Sequence, residues 1–226
     1  MEKLPKKDSK RGVSEVLAVA AVSVVPIVGG PFSIVLQEML GVAYGKRRDA
    51  WLEELAARVE DLLNKVDNLN LDDLSRNEIF LDAVASATQS AVRTHDKEKI
   101  ALLGNAVLNA AIQPSMDSDK LNMFMQYVSD LTVSHIQLLD FLDNPPLFFE
   151  KLDQEWPDFM MGGISSLLQI LFPQWTSEFS NQLLRLLRNS GLVSIESLNV
   201  TMSGSGLRSS VTTSLGKEFL AFITKR

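Results

Sequence analysis

Residues 16–37 carry no charged side chain, yet the run cannot form one straight helix. Pro26 removes a helical N–H and clashes with the preceding turn, Gly29 and Gly30 are poor helix formers, and Pro31 sits best in the first turn of a new helix. An uncharged stretch of roughly 20 residues is long enough to cross a bilayer, but this punctuation divides it. The expected object is an N-terminal apolar helical hairpin. Its first arm, with Val16, Val22 and Val25, is apolar nearly all round and belongs inside protein or lipid. Its second arm opens at Pro31 and Phe32 and places Phe32, Val35, Leu36, Met39 and Leu40 on one face. Each arm is too short to span alone. Two readings follow: a hairpin that is ordinary core, and a hairpin stored against its own protein and released into a membrane. Lys3, Lys6, Lys7, Lys10 and Arg11 before the run and Lys46, Arg47 and Arg48 after it suit anionic headgroups, although any solvated loop also carries such charge.

With 226 residues the chain can build one compact unit with two lobes. Its 46% hydrophobic and 22% charged content is that of a folded protein. The formal charge of −6 argues against a protein coated with nucleic acid, which needs clustered Lys and Arg. Having no cysteine, it makes no disulfide, thiolate metal site or cysteine nucleophile. A basic start before an apolar run imitates a secretory signal, but no small-x-small cleavage site closes it. The segment therefore reads as retained, and the protein as cytoplasmic, with membrane association on activation.

Three regions are expected: a mobile basic arm at 1–12, the hairpin and a helical bundle at 13–130, and a separate lobe at 131–226. Gly41 and Gly45 are expected to loosen the helix after the hairpin. Leu52, Leu55, Val59, Leu62, Val66 and Leu69 then repeat at alternating intervals of three and four, as in a coiled-coil seam. Fewer than three heptads are present, so intramolecular packing and self-association or a protein partner both remain open. Ser75 and Glu78 read as a capping box opening a helix that buries Ile79, Phe80, Ala83, Val84, Ala87 and Ala91. Thr94 or Asp96 caps the next helix, with Ile100, Leu103, Val107, Leu108 and Ala111 inward. Asp117 or Ser118 starts another, with Leu121, Phe124, Met125, Val128 and Leu131 inward. Three amphipathic helices in series make a bundle.

The Ala-rich helix, the stretch Thr94-His-Asp-Lys-Glu-Lys-Ile100 leading into Leu102-Leu-Gly-Asn105-Ala-Val-Leu-Asn109, and Val128-Ser-Asp-Leu-Thr-Val-Ser-His135 together resemble the bacterial abortive infection alpha family of helical proteins. The resemblance covers about residues 77–142, a third of the chain. It implies a part in defence against phage and carries no catalytic residues.

Beyond residue 131 the texture changes. Thr132 can cap a helix to Leu142, Asn144-Pro145-Pro146 breaks it, and Gly162-Gly163 opens a short helix ending before Pro173. Thr176 or Ser177 caps a helix that buries Phe179, Leu183, Leu184 and Leu187 and ends at Gly191. Residues 192–195 and 209–213 read as two short strands, and Leu215, Phe219, Leu220 and Ile223 as a closing helix. This order resembles a winged-helix domain. The fold class expected is mainly α: an apolar hairpin and helical bundle, then a winged-helix-like α+β lobe.

Chemistry is sparse. Arg185, Arg188 and Arg208 are the residues such a winged helix could bring to nucleic acid, but residues 131–226 hold 7 Lys and Arg against 9 Asp and Glu, which disfavours a groove reader. The two histidines, His95 and His135, lie in no metal-ligand spacing. No Gly-x-Ser-x-Gly elbow is present. Gly41-Val-Ala-Tyr-Gly45-Lys46 fails as a phosphate loop in spacing and in having Arg47 where Ser or Thr should bind magnesium. The chain thus reads as a non-enzymatic effector or interaction protein that binds partners and anionic membranes, with no catalytic residue, metal, cofactor or small-molecule substrate implied. A winged-helix transcriptional or nucleic-acid-binding regulator is the alternative.

Overall fold

The structure, a computed structural model, describes residues 31–67, 69–113, 116–158 and 160–225, with only the backbone course for 31–40. The first hairpin arm, with Val16, Val22, Val25, Pro26, Gly29 and Gly30, lies outside the described residues. The described chain is mainly helical. It forms α1 (Pro31–Lys65), α2 (Leu71–Ser75), α3 (Glu78–Arg93), α4 (Lys97–Ala111), α5 (Ser118–Asp130), α6 (Val133–Asp143), α7 (Pro145–Lys151), β1 (Met161–Gly162), α8 (Ile164–Leu171), α9 (Ser177–Asn189), β2 (Met202–Ser203), α10 (Gly204–Leu207) and α11 (Ser214–Ile223). Two units are formed. One runs to Asp130 and takes back Phe222–Arg226; the other is Leu131–Ala221.

In the first unit, α1 packs on α3 and α4, and α5 on both of these. The expected loosening at Gly41 and Gly45 does not occur, since α1 is continuous through both. A helical glycine costs about 1 kcal/mol, less than abandoning a turn of hydrogen bonds between two strong helical flanks. Leu52, Leu55 and Val59 are buried together with Trp51. The helix ends at Lys65, so Val66 and Leu69 lie beyond it; like Leu62 they are half-buried. The seam therefore serves intrachain packing over its first half. The Trp51 indole donates to Thr88 Oγ1 at 3.0 Å, and that hydroxyl donates to the Val84 carbonyl at 2.7 Å. Phe80, Ala83, Val84, Ala87 and Ala91 are all buried on α3, where small side chains admit close neighbours.

Ser75 is not the cap of α3. Asn70 caps α2, accepting from Asp73 N at 2.9 Å, and Ser75 closes that helix by donating to the Asp72 carbonyl. Asn77, as good a cap as serine, opens α3 by accepting from Phe80 N at 3.2 Å. Of the alternatives at the next helix, Asp96 caps α4 through the Glu98 and Lys99 amides.

The second unit opens with a reciprocal cap in which His135 stands where Glu or Gln usually does: Thr132 N donates to His135 Nδ1 at 3.2 Å. Asn144 ends α6 and also starts α7, accepting from Leu147 N, while Pro145 and Pro146 occupy first-turn positions where a missing N–H is tolerated. α9 packs on α6 through Leu183, Leu184 and Leu187. Phe179, expected inside, is 42% exposed and meets Trp175 edge-on at 5.7 Å between centroids. The expected strands shrink to one antiparallel bridge, Val193 to Thr212, flanked by Ser194 N to Val211 O and Thr213 N to Leu192 O. The two-stranded sheet instead pairs β1 with β2, Met161 opposite Ser203.

α9 ends in a paired reverse-bonded cap. Leu192 N reaches Leu187 O at 3.0 Å and Gly191 N reaches Arg188 O at 2.9 Å, with Gly191 at φ +70°. Leu187 and Leu192 are both fully buried beneath it. An L side chain at this φ costs about 1–2 kcal/mol. Gly191→Ala should lower the unfolding free energy of the second unit by that amount, read from the denaturant transition by tryptophan fluorescence; an unchanged transition would show that the cap does not need its glycine.

Candidate functional site

Residues 41–47 of α1 are solvent-facing. Val42 is 54% and Tyr44 39% exposed, and the space beside Gly41 and Gly45 is open. Arg47 lies 5.9 Å over the Tyr44 ring and donates to the Val92 carbonyl at 3.3 Å, while Arg48 pairs with Asp49 at 3.1 Å. A helix rises 1.5 Å per residue, so Gln37, where the uncharged run ends, stands roughly 13 Å from Lys46 along one continuous axis. The exposed apolar residues, the tyrosine and the basic step Lys46-Arg47-Arg48 thus share a helix whose following turns are anchored by Trp51, Leu52, Leu55 and Val59.

Beside that anchor a polar network runs from the half-buried Arg58 and Asn105 to the buried Asn109 of the first unit. Arg58 of α1 crosses the α4 backbone at Gly104, where any Cβ would overlap its guanidinium. There it donates to the Ala101 carbonyl at 3.5 Å and to Asn105 Oδ1, with Glu54 3.9 Å away. Burial lowers the Arg58 pKa and Glu54 raises it, burial being the larger effect. Asn105 passes the interaction on, its amide donating to the Ile223 carbonyl at 2.9 Å. Asn109, one turn further, donates to the carbonyls of Phe222 at 2.7 Å and Thr224 at 3.0 Å. Phe222 and Ile223 are fully buried, Phe222 with its ring 5.4 Å from that of Phe124. These acceptors close a helix, where carbonyls lack intrahelical donors. Two side-chain amides from α4 supply them.

Of the three arginines considered for nucleic acid, Arg185 and Arg188 are exposed on α9 and line one shallow depression with Asn181, Leu184, Asn189 and Glu196. Arg208 is not part of that lining; its guanidinium sits 4.6 Å over the Trp156 ring. His95 is exposed, and His135 is engaged in the α6 cap. Among the described residues, no group of three or more His, Cys, Asp or Glu is placed to hold a metal, and no helix is long and apolar enough to cross a membrane. No protein-family model, curated protein or solved structure matches the chain.

The network of Arg58, Gly104, Asn105 and Asn109 was not read as a site from sequence. Its signal is present: two asparagines four residues apart in a stretch, residues 101–111, otherwise made of Ala, Leu and Val, with one glycine beside them. Asparagine is a weak helix former, so a pair on one face of a buried helix implies a buried acceptor.

Two outcomes test this geometry. Gly104→Ala should displace the Arg58 guanidinium and lower stability by about 1 kcal/mol, the loss of hydrogen bonds to a charged group discounted for its partial exposure, measured by denaturant unfolding; Arg58→Met in the same background should recover part of the loss. Lys99 supplies the second. It is buried, and desolvation lowers its pKa to about 8 against the opposing pull of Asp130 and Asp96. An unfolded lysine titrates near 10.4, so between these values the unfolded chain binds more protons and stability rises with pH. Relative to wild type, Lys99→Met should remove that rise between about pH 8 and 10; parallel profiles would contradict it.

Proposed function

We propose that this protein is a non-enzymatic helical effector whose N-terminal region acts on anionic membranes under a condition that frees it. The observation that carries this reading is α1 itself. One unbroken helix joins residues of the uncharged run to Val42 and Tyr44, which are exposed, to the basic step Lys46-Arg47-Arg48, and to the buried anchor. An apolar stretch, an amphipathic aromatic and a basic cluster in that order match the depth profile of a leaflet: acyl region, interface, phosphates. The overall charge of −6 makes general attraction to anionic lipid unfavourable, so attraction must be local. The resemblance over residues 77–142 supports placing such an effector in bacterial defence against phage. The half-buried Leu62, Val66 and Leu69 remain the part of the seam available for self-association or a protein partner.

A winged-helix regulator is the second reading. It is favoured by the antiparallel bridge that follows α9 and by the exposed Asn181, Arg185, Arg188 and Asn189 on that helix, residue types that read base edges. Glu196 in the same lining and Arg208 held on Trp156 weigh against it. Salt-sensitive binding to duplex DNA that is lost on replacing Arg185 and Arg188 by Ala would favour it over the membrane reading.

The test is sedimentation with vesicles. The protein should pellet with phosphatidylglycerol vesicles and not with phosphatidylcholine vesicles, and replacing Lys46, Arg47 and Arg48 by Gln should weaken binding about 10- to 100-fold, at about 1 kcal/mol per basic residue with Arg48 partly engaged. Tyr44→Asp should weaken it further. Binding that ignores lipid charge, or survives the triple replacement, removes this function.

A further inference from the structure

The membrane reading needs a restraint on α1, and the core of the first unit contains one. Asn105 and Asn109 sit four residues apart on one face of α4, and their amides read three consecutive main-chain carbonyls, those of Phe222, Ile223 and Thr224. Only the end of a helix offers three such carbonyls without internal donors. The Asn105 amide can donate to Ile223 while its oxygen accepts from Arg58, so each contact orients the group for the other. The negative end of the closing helix dipole also faces a chain of donors that begins at a half-buried cation, which is the favourable polarity. Phe222 against Phe124 and the buried Ile223 add the apolar part. Arg58 in turn lies among the residues that hold α1, one position from Val59 and one turn from Leu55 and Glu54.

We infer that the segment Phe222–Thr224 is a latch for α1: while Asn105 and Asn109 hold it, Arg58 is satisfied and the Trp51-to-Val59 face stays in the bundle; when it leaves, Asn105 loses its orientation, the half-buried Arg58 loses an oriented acceptor, and α1 loosens. Loosening would bare Trp51, Leu52 and Leu55 on the same helix as the uncharged run and lengthen its apolar surface. This inference takes the membrane reading as its output, but the coupling within the unit stands without it.

The experiment is amide hydrogen exchange on the full chain, comparing wild type with Asn109→Ala, which removes two of the three carbonyl contacts and touches neither Arg58 nor α1 in the network described. Exchange at residues 222–224 and at residues 51–59 should both speed up about tenfold, the scale set by one or two lost hydrogen bonds, while residues 138–142 of the second unit keep the wild-type rate. Because coupling is reciprocal, Arg58→Met must loosen residues 222–224, and this variant decides the matter if Asn109→Ala does not fold. Faster exchange at 222–224 with 51–59 unchanged would overturn the latch, and so would a uniform rise across the first unit, including residues 80–91, which is plain destabilisation. Sedimentation with phosphatidylglycerol vesicles separates the two proposals. Coupled exchange with stronger pelleting of Asn109→Ala supports both, whereas coupled exchange with no pelleting of any variant supports the latch and overturns the membrane function.

Discussion

A guanidinium half withdrawn from water needs acceptors on its buried side, and the first unit supplies them to Arg58. A charge buried without partners would neutralise or unfold its surroundings. Here Gly104 opens the α4 surface so that the group can reach the Ala101 carbonyl and Asn105, with Glu54 alongside. Asn105 must then satisfy its own amide, and it does so on the Ile223 carbonyl. One half-buried cation thereby links α1, α4 and the closing segment in a single arrangement. Trp51, Leu55, Val59, Val107 and Phe222 are among the buried apolar side chains around it. Their contacts are non-directional, and the polar chain selects which packing is the native one.

That division of labour gives α1 two unlike halves. Its second half is held by shape and by directional bonds, including the Trp51 indole on Thr88. Residues 41–44 and Lys46 are exposed, with Val42 and Tyr44 in water. A helix is stiff along its axis, so events at the anchor are felt at the exposed end. In the proposed function this is how a change in the core becomes a change at a membrane.

Much of the helical order was legible because period and caps are local. The face Phe80, Ala83, Val84, Ala87 and Ala91 follows from spacing, with Ile79 only half-buried, and the glycine after α9 follows from its local pattern, whereas Thr94 and Asp96 offer equal caps for α4 and only the structure selects Asp96. Errors arose where two local signals competed. Ser75 and Glu78 look like a capping box, but Asn70 with Asp72 and Asp73 starts a helix that consumes Ser75, leaving Asn77 to cap α3. Asn144-Pro145-Pro146 reads as a break and is also a start, since proline is harmless in a first turn. Phe179 lies on the buried arc of α9 by period, yet it pairs with Trp175 at the surface, a tertiary preference that spacing cannot express. The candidate site was the least legible part. Asn105 and Asn109 were visible as a pair, but their acceptors lie more than a hundred positions away in sequence, and nothing local to either segment connects them.

If one polar chain fixes α1, α4 and the closing segment together, those parts should open together. Native-state hydrogen exchange on the wild-type protein at increasing, sub-denaturing urea measures this. The amides of residues 51–59, 103–109 and 222–224 should converge on one opening free energy with one urea dependence, the behaviour of a single cooperative unit. Exchange of residues 222–224 at nearly solvent rates, while residues 51–59 stay protected to the global limit, would mean that the segment is an appendage and that Arg58 and Asn105 do not organise the core.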